Sequence, residues 1–134
     1  MSTPLPDDLF IAATGASPEV DFRYSNGTLS LKGESYPENA AAFYAEPIAR
    51  TRAYLGALGA GKSITVDVAM AYFNSSSTKM LFGLFNAFNA AAEAGTHVIL
   101  NWRHDADDDT ILEFGNELHD EFPALDYHAI ATDG

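Results

Sequence analysis

The chain has 134 residues, 19 acidic and 7 basic side chains, a formal net charge of −12 and no cysteine. That length fits one domain of about 100–200 residues, and 47% hydrophobic with 12% aromatic residues supplies a core. The negative charge argues against a nucleic-acid backbone or an anionic membrane face as partner. The missing cysteine excludes disulfides, thiolate zinc sites, iron–sulfur clusters and a cysteine nucleophile. No run approaches about 18 consecutive apolar residues, and Met1 to Asp8 lacks a basic, apolar leader, so a cytoplasmic domain is expected.

Residues 1–17, with Pro4, Pro6, Asp7 and Asp8, read as an extended arm. Val20, Phe22 and Tyr24 alternate with Asp21 and Arg23, the period of a half-buried strand. Asn26-Gly27 follows, before a second alternation at Leu29 and Leu31. An Asn-Gly pair between alternating strands signals a tight antiparallel hairpin with positive φ at both central residues. A polar link, Gly33 to Asn39, then enters a helix to about Leu58 with a buried stripe at Tyr44, Ile48, Thr51, Leu55 and Leu58. Pro47 kinks that helix or marks its start.

Ser63 to Met70 is β-branched and apolar, as a central parallel strand should be. Asn74-Ser75-Ser76-Ser77 caps a helix to about Ala94, whose inner face is Leu81, Leu84, Phe85, Phe88 and Ala92. His97 to Arg103 is the next strand. Asp105 to Asp109 lead into a helix facing inward through Ile111, Phe114, Gly115, Leu118 and Phe122, ended by Pro123. Tyr127 to Ala131 is the last strand. The order β-β-α-β-α-β-α-β predicts a single α/β domain over 1–134, with a mixed, mostly parallel sheet and an N-terminal antiparallel hairpin.

Several motif matches fail on context. Gly56 to Ser63 satisfies GxxxxGK[ST], but phosphate binding needs a strand before the loop and a helix after it. Here the order is reversed, and a glycine-rich turn is the better reading. Asp105, Asp107 and Asp109 open with calcium-loop spacing, yet Thr110 stands where glycine is needed and Asn116 where a bidentate glutamate is needed. The four histidines show no metal-binding spacing, and no GxSxG elbow is present. Neither a catalytic site, a metal site nor a cofactor site is expected. Asn26-Gly27-Thr28 and Asn74-Ser75-Ser76 fit glycosylation sequons, unmodified in a cytoplasmic protein.

What survives is the Asn74–Lys79 segment, where a central strand hands over to a helix. A plain serine cap would explain it. So would a regulatory phosphoserine, which adds about −1.5 to −2 charges beside free amides that accommodate it. Ser75, Ser76 and Ser77 are equivalent acceptors on chemistry alone.

The segments Gly33-Glu34-Ser35-Tyr36-Pro37-Glu38-Asn39, Tyr72 to Lys79 and Trp102-Arg103 together resemble the SiaC family of bacterial regulatory phosphoproteins, over roughly residues 18–130. That family is itself similar to STAS domains, the fold of anti-sigma-factor antagonists. The resemblance implies an adaptor rather than an enzyme. Such a protein is phosphorylated by a Ser/Thr protein kinase and restored by a PP2C-type phosphatase. Unphosphorylated, it binds and activates a diguanylate cyclase, linking it to cyclic-di-GMP, aggregation and biofilm formation. The family's acceptor directly follows the loop asparagine, which implies Ser75 here, with Asn74, Ser76 and Ser77 completing the switch loop. An anti-sigma-factor antagonist in a partner-switching cascade is the alternative, and an ATP-binding enzyme a weaker one.

Partner contacts are expected at Lys79 and Phe82, on the outer stripe of the helix after Ser75, where Phe82 is an aromatic at a position predicted to meet water. Tyr36, Glu38 and Asn39 are further candidates on the neighbouring connection. The charge is uneven along the chain: residues 1–100 carry a net −3 and residues 101–134 a net −9. A phosphate in the first part is therefore expected to act by contrast, away from the acidic remainder.

Overall fold

The computed structural model describes residues 5–132. Six strands and three helices alternate as β1 (Leu9–Ile11), β2 (Glu19–Arg23), β3 (Thr28–Ser35), α1 (Ala40–Leu58), β4 (Ser63–Phe73), α2 (Ser75–Glu93), β5 (His97–Asp105), α3 (Asp109–Glu121) and β6 (Asp126–Thr132). The strands lie in one sheet in chain order, antiparallel from β1 to β3 and parallel from β3 to β6. Because each right-handed crossover steps to the next strand in the same direction, all three helices return to one face. That face buries Val20, Phe22, Leu29, Leu31, Ile64, Val66, Val68, Val98, Leu100 and Trp102. The opposite face is polar and carries the Asp67–Arg103 pair at 2.7 Å.

The hairpin and the strand–helix alternation match the sequence reading, with three differences. Within the arm, Leu9–Ile11 pairs antiparallel with β2, and the Asp8 carboxylate accepts from the Ser25 amide and hydroxyl, both at 2.9 Å. Residues 1–4 of that arm lie outside the described residues. The hairpin turn spans four residues rather than two, and positive φ occurs at Gly27 alone. Tyr24, buried, meets the Thr51 hydroxyl at 3.0 Å and the Tyr54 ring, and the ladder ends at Arg23–Thr28. Third, α1 starts at Ala40, after the Asn39 cap, and runs unbroken through Pro47 rather than beginning there; the Pro47 ring is buried while Phe43's carbonyl loses its usual donor.

Candidate functional site

Parallel strands deliver their C-terminal ends to one edge of the molecule. Ser35, Phe73, Asp105 and Thr132 end β3 to β6 there, so residues 36–39, Asn74 and residues 106–108 gather on it. The candidate switch loop sits in the middle of this edge. Asn74 is extended and caps α2: its Oδ1 accepts from the Ser77 amide at 2.9 Å, one of the four amides a helix start leaves free. Its own amide donates to the Ser35 carbonyl at 3.0 Å, fixing the loop to β3.

Below the loop lies a buried hydroxyl cluster. Ser35 Oγ is 2.7 Å from Tyr44 OH and 2.7 Å from Ser77 Oγ, and all three residues are inaccessible to water. Burial raises the Tyr44 phenol to about 12, against a smaller lowering by the Ser35 hydrogen bond. The cluster separates the three serines that chemistry alone left equivalent. Ser77 faces inward and is hydrogen-bonded, whereas Ser75 and Ser76 are exposed on the first turn of α2.

The other sequence candidates divide. Tyr36 is exposed and meets Tyr72 edge to face, ring centroids 5.9 Å apart. Asn39 caps α1, accepting from the Ala42 amide at 3.0 Å. Glu38, Asn39, Ser76 and Lys79 line a recess of about 280 Å³ between the starts of α1 and α2, and Lys79 is exposed one turn beyond Ser75. Phe82 corrects the reading. It does not stand in water but is half-buried, with ring centroids 5.4 Å from Phe114 and 5.8 Å from Phe122, and it joins α2 to α3. Helical periodicity turns it away from the sheet, but α3 covers that side.

Tyr72 joins these candidates in the structure. The apolar pattern of the strand reads as ending at Met70, but β4 runs on to Phe73 and carries Tyr72, about half exposed, to the lip of the loop. Its signal was the aromatic pair Tyr72-Phe73 directly before the asparagine cap.

The acidic remainder is not wholly separate from β4, because β5 pairs alongside it. The Asp105–Asp109 loop lines a cavity of about 570 Å³ with Met70 and Ala71, on the strand that leads into Asn74. Within that loop Asp105 Oδ1 accepts from the Asp107 amide at 2.8 Å, and Asp108 caps α3 through the Ile111 amide at 3.0 Å. Around Gly56–Ser63 a helix precedes and a strand follows, the reverse of a phosphate-binding loop. Among the described residues no helix is long and apolar enough to cross a membrane.

A family model for the SiaC family regulatory phosphoproteins matches residues 11–132. An uncharacterized protein of Pseudomonas aeruginosa is 26% identical over 114 residues, covering 85% of this chain and 89% of the relative. Apo-SiaC from Pseudomonas aeruginosa superposes with a TM-score of 0.83 at 25% identity, over 92% of this chain and 98% of that one. The structure of the diguanylate cyclase SiaD in complex with its activator SiaC, also from Pseudomonas aeruginosa, matches with a TM-score of 0.85 at 25% identity, over 93% of this chain and all of the other.

Proposed function

The chain belongs to the SiaC family of regulatory phosphoproteins, and on that premise we propose that it is a serine-phosphorylated, non-enzymatic adaptor whose unphosphorylated form binds and activates a diguanylate cyclase. The observation that carries this reading is the edge built around Asn74. An exposed serine follows the cap, two exposed tyrosines stand beside it, and a buried hydroxyl cluster anchors it from below. The relative whose complex is known, SiaC, is the activator of the cyclase SiaD.

Ser75 is the acceptor in this reading, at the first helical position of α2. A phosphate there meets free amides and the positive end of the helix, so α2 stays folded while its outward surface gains about two negative charges. A partner that reads Tyr36, Glu38, Lys79 and the exposed serines meets a changed surface without any change of fold. A Ser/Thr kinase and a PP2C-type phosphatase set the state of the switch, in the cytoplasm.

The test compares wild type, Ser75→Ala and Ser75→Asp for binding to a purified diguanylate cyclase and for cyclase activity. Wild type and Ser75→Ala bind and activate; Ser75→Asp does neither. Equal behaviour of all three overturns the proposal. Phosphosite mapping after kinase treatment distinguishes Ser75 from Ser76.

A further inference from the structure

The β4–β5 ladder stops at Val68–Trp102, yet β4 runs on to Phe73 and β5 to Asp105. The strand ends part, and the loop before α3 lies beside the gap. The 570 Å³ cavity on the Asp105–Thr110 loop adjoins a second cavity of about 250 Å³ at Thr110, which lines both, and we call the pair a groove. Phe73 and Phe114, ring centroids 4.5 Å apart, give the second part an apolar wall; Tyr72 stands at its lip, with Glu113 and Glu117 on its rim.

No lysine, arginine or histidine lines either part of the groove, although beyond Met70, Ala71 and Asp105 an adjoining recess of about 190 Å³ is lined by Arg103, which is held by Asp67, and by His104. Asp105 and Asp108 are engaged by backbone amides, but Asp107, Asp109, Glu113 and Glu117 have no cationic partner among the described residues. Apolar walls under an unpaired acidic rim have a defined complement: apolar anchor side chains flanked by lysine or arginine. A second copy of the chain is a poor fit, since it carries a net charge of −12 itself.

We propose that this groove docks a basic amphipathic segment of the partner protein, with Tyr72 packing on its apolar ridge and Glu113 and Glu117 pairing with its cations. The proposal rests on the partner-binding role above and names the chemistry of the partner's contact. It also places the docking site within reach of the switch. Phe73, in the groove wall, is two residues from Ser75, and Phe114 packs on Phe82 of α2.

The test titrates the full chain, labelled for amide NMR, with a synthetic peptide of about 20 residues carrying leucines at helical spacing and lysines elsewhere. A peptide of the same composition, scrambled to break the ridge, is the control. Shifts are expected at Tyr72, Phe73 and residues 110–117 with the first peptide only. Tyr72→Ala, or Glu113→Gln with Glu117→Gln, weakens binding at least about tenfold. These side chains are exposed, and equal thermal melts confirm that the variants fold.

Equal binding of the two peptides, shifts elsewhere, or unchanged affinity in both variants overturns the proposal. A second arm repeats the variants with a purified diguanylate cyclase. Retained cyclase binding by Tyr72→Ala and by the double glutamine variant also overturns it, while leaving the Ser75 switch standing. Cyclase binding indifferent to Ser75→Asp but lost in the groove variants sinks the switch and keeps the groove.

Discussion

Ser35 on β3 and Ser77 in the first turn of α2 join their hydroxyls across 2.7 Å, although 42 residues separate them in the chain. The Tyr44 hydroxyl of α1 reaches the same Ser35 oxygen, so one buried serine ties the start of α2 and the body of α1 to the sheet. Removing Ser35 Oγ leaves two buried hydroxyls without that partner, which costs about 1–3 kcal/mol. Ser35→Ala is expected to lower the urea midpoint accordingly. Ser77→Ala and Tyr44→Phe are expected to cost less, because each leaves Ser35 one partner. Equal losses in all three variants would contradict Ser35 as the hub.

The same cluster predicts a response to alkali. Burial raises Tyr44 to about 12, above its ordinary value of 10.0, so between those limits the unfolded chain releases a proton that the folded chain keeps. Stability from this group is fully present below pH 10 and is lost as pH rises toward 12, at about 1.4 kcal/mol per pH unit. Burial raises Tyr24, Tyr54 and Tyr127 as well and adds to the slope. Denaturation midpoints measured from pH 9 to 12 should fall, and Tyr44→Phe should make the fall shallower. An identical slope in that variant would count against the assignment.

Much of this architecture is written in local patterns. Period-two alternation at Val20, Phe22 and Tyr24, the Ser63–Met70 run and the helical stripe at Leu81, Leu84, Phe85 and Phe88 each require only a few neighbouring residues to read, and their buried faces follow. What was illegible depends on partners elsewhere in the chain. Leu9–Ile11 has only three residues, one of them buried, and is a strand because β2 offers it an edge. Phe82 is sheltered by α3, whose docking no local periodicity reports. The Asp105–Asp109 loop reaches the Ser75 edge because β5 pairs beside β4, a fact of strand order. The candidate site shows the same division. Asn74 as a cap was readable from residue type, whereas the inward orientation of Ser77 required Ser35 and Tyr44 to be in place.

Asn74 itself carries a prediction independent of phosphorylation. Its side chain satisfies the Ser77 amide, so Asn74→Ala should cost about 1 kcal/mol, in the usual range for losing a helix N-cap. Asn74→Ser retains an oxygen acceptor and should recover most of that loss. Hydrogen exchange at the Ser77 amide reads the effect directly: faster in the alanine variant, close to wild type in the serine variant. Unaltered exchange in Asn74→Ala would mean that the cap does not hold the loop.

Two helical glycines should respond to alanine in opposite directions. Gly115 of α3 lies against the sheet where Trp102 donates its indole N–H to the Ile111 carbonyl at 2.8 Å. A methyl group there would come within 2.6 Å of Trp102 Nε1 and would also collide with Tyr127 OH, a buried hydroxyl with no hydrogen-bond partner among the described residues. Both obstacles are packed ring systems rather than flexible chain ends, so α3 must lift from β5. Overpacking of this kind costs about 1–3 kcal/mol, and lifting α3 would also loosen the Phe73–Phe114 wall of the groove. Gly56 of α1 is exposed, with nothing within 4 Å of the added carbon. There alanine removes only the entropic penalty of glycine in a helix and should stabilise by about 0.5–1 kcal/mol. Thermal melts of the two variants side by side test the argument, since a shared direction of change would show that backbone propensity, not the close approach at Trp102, governs Gly115.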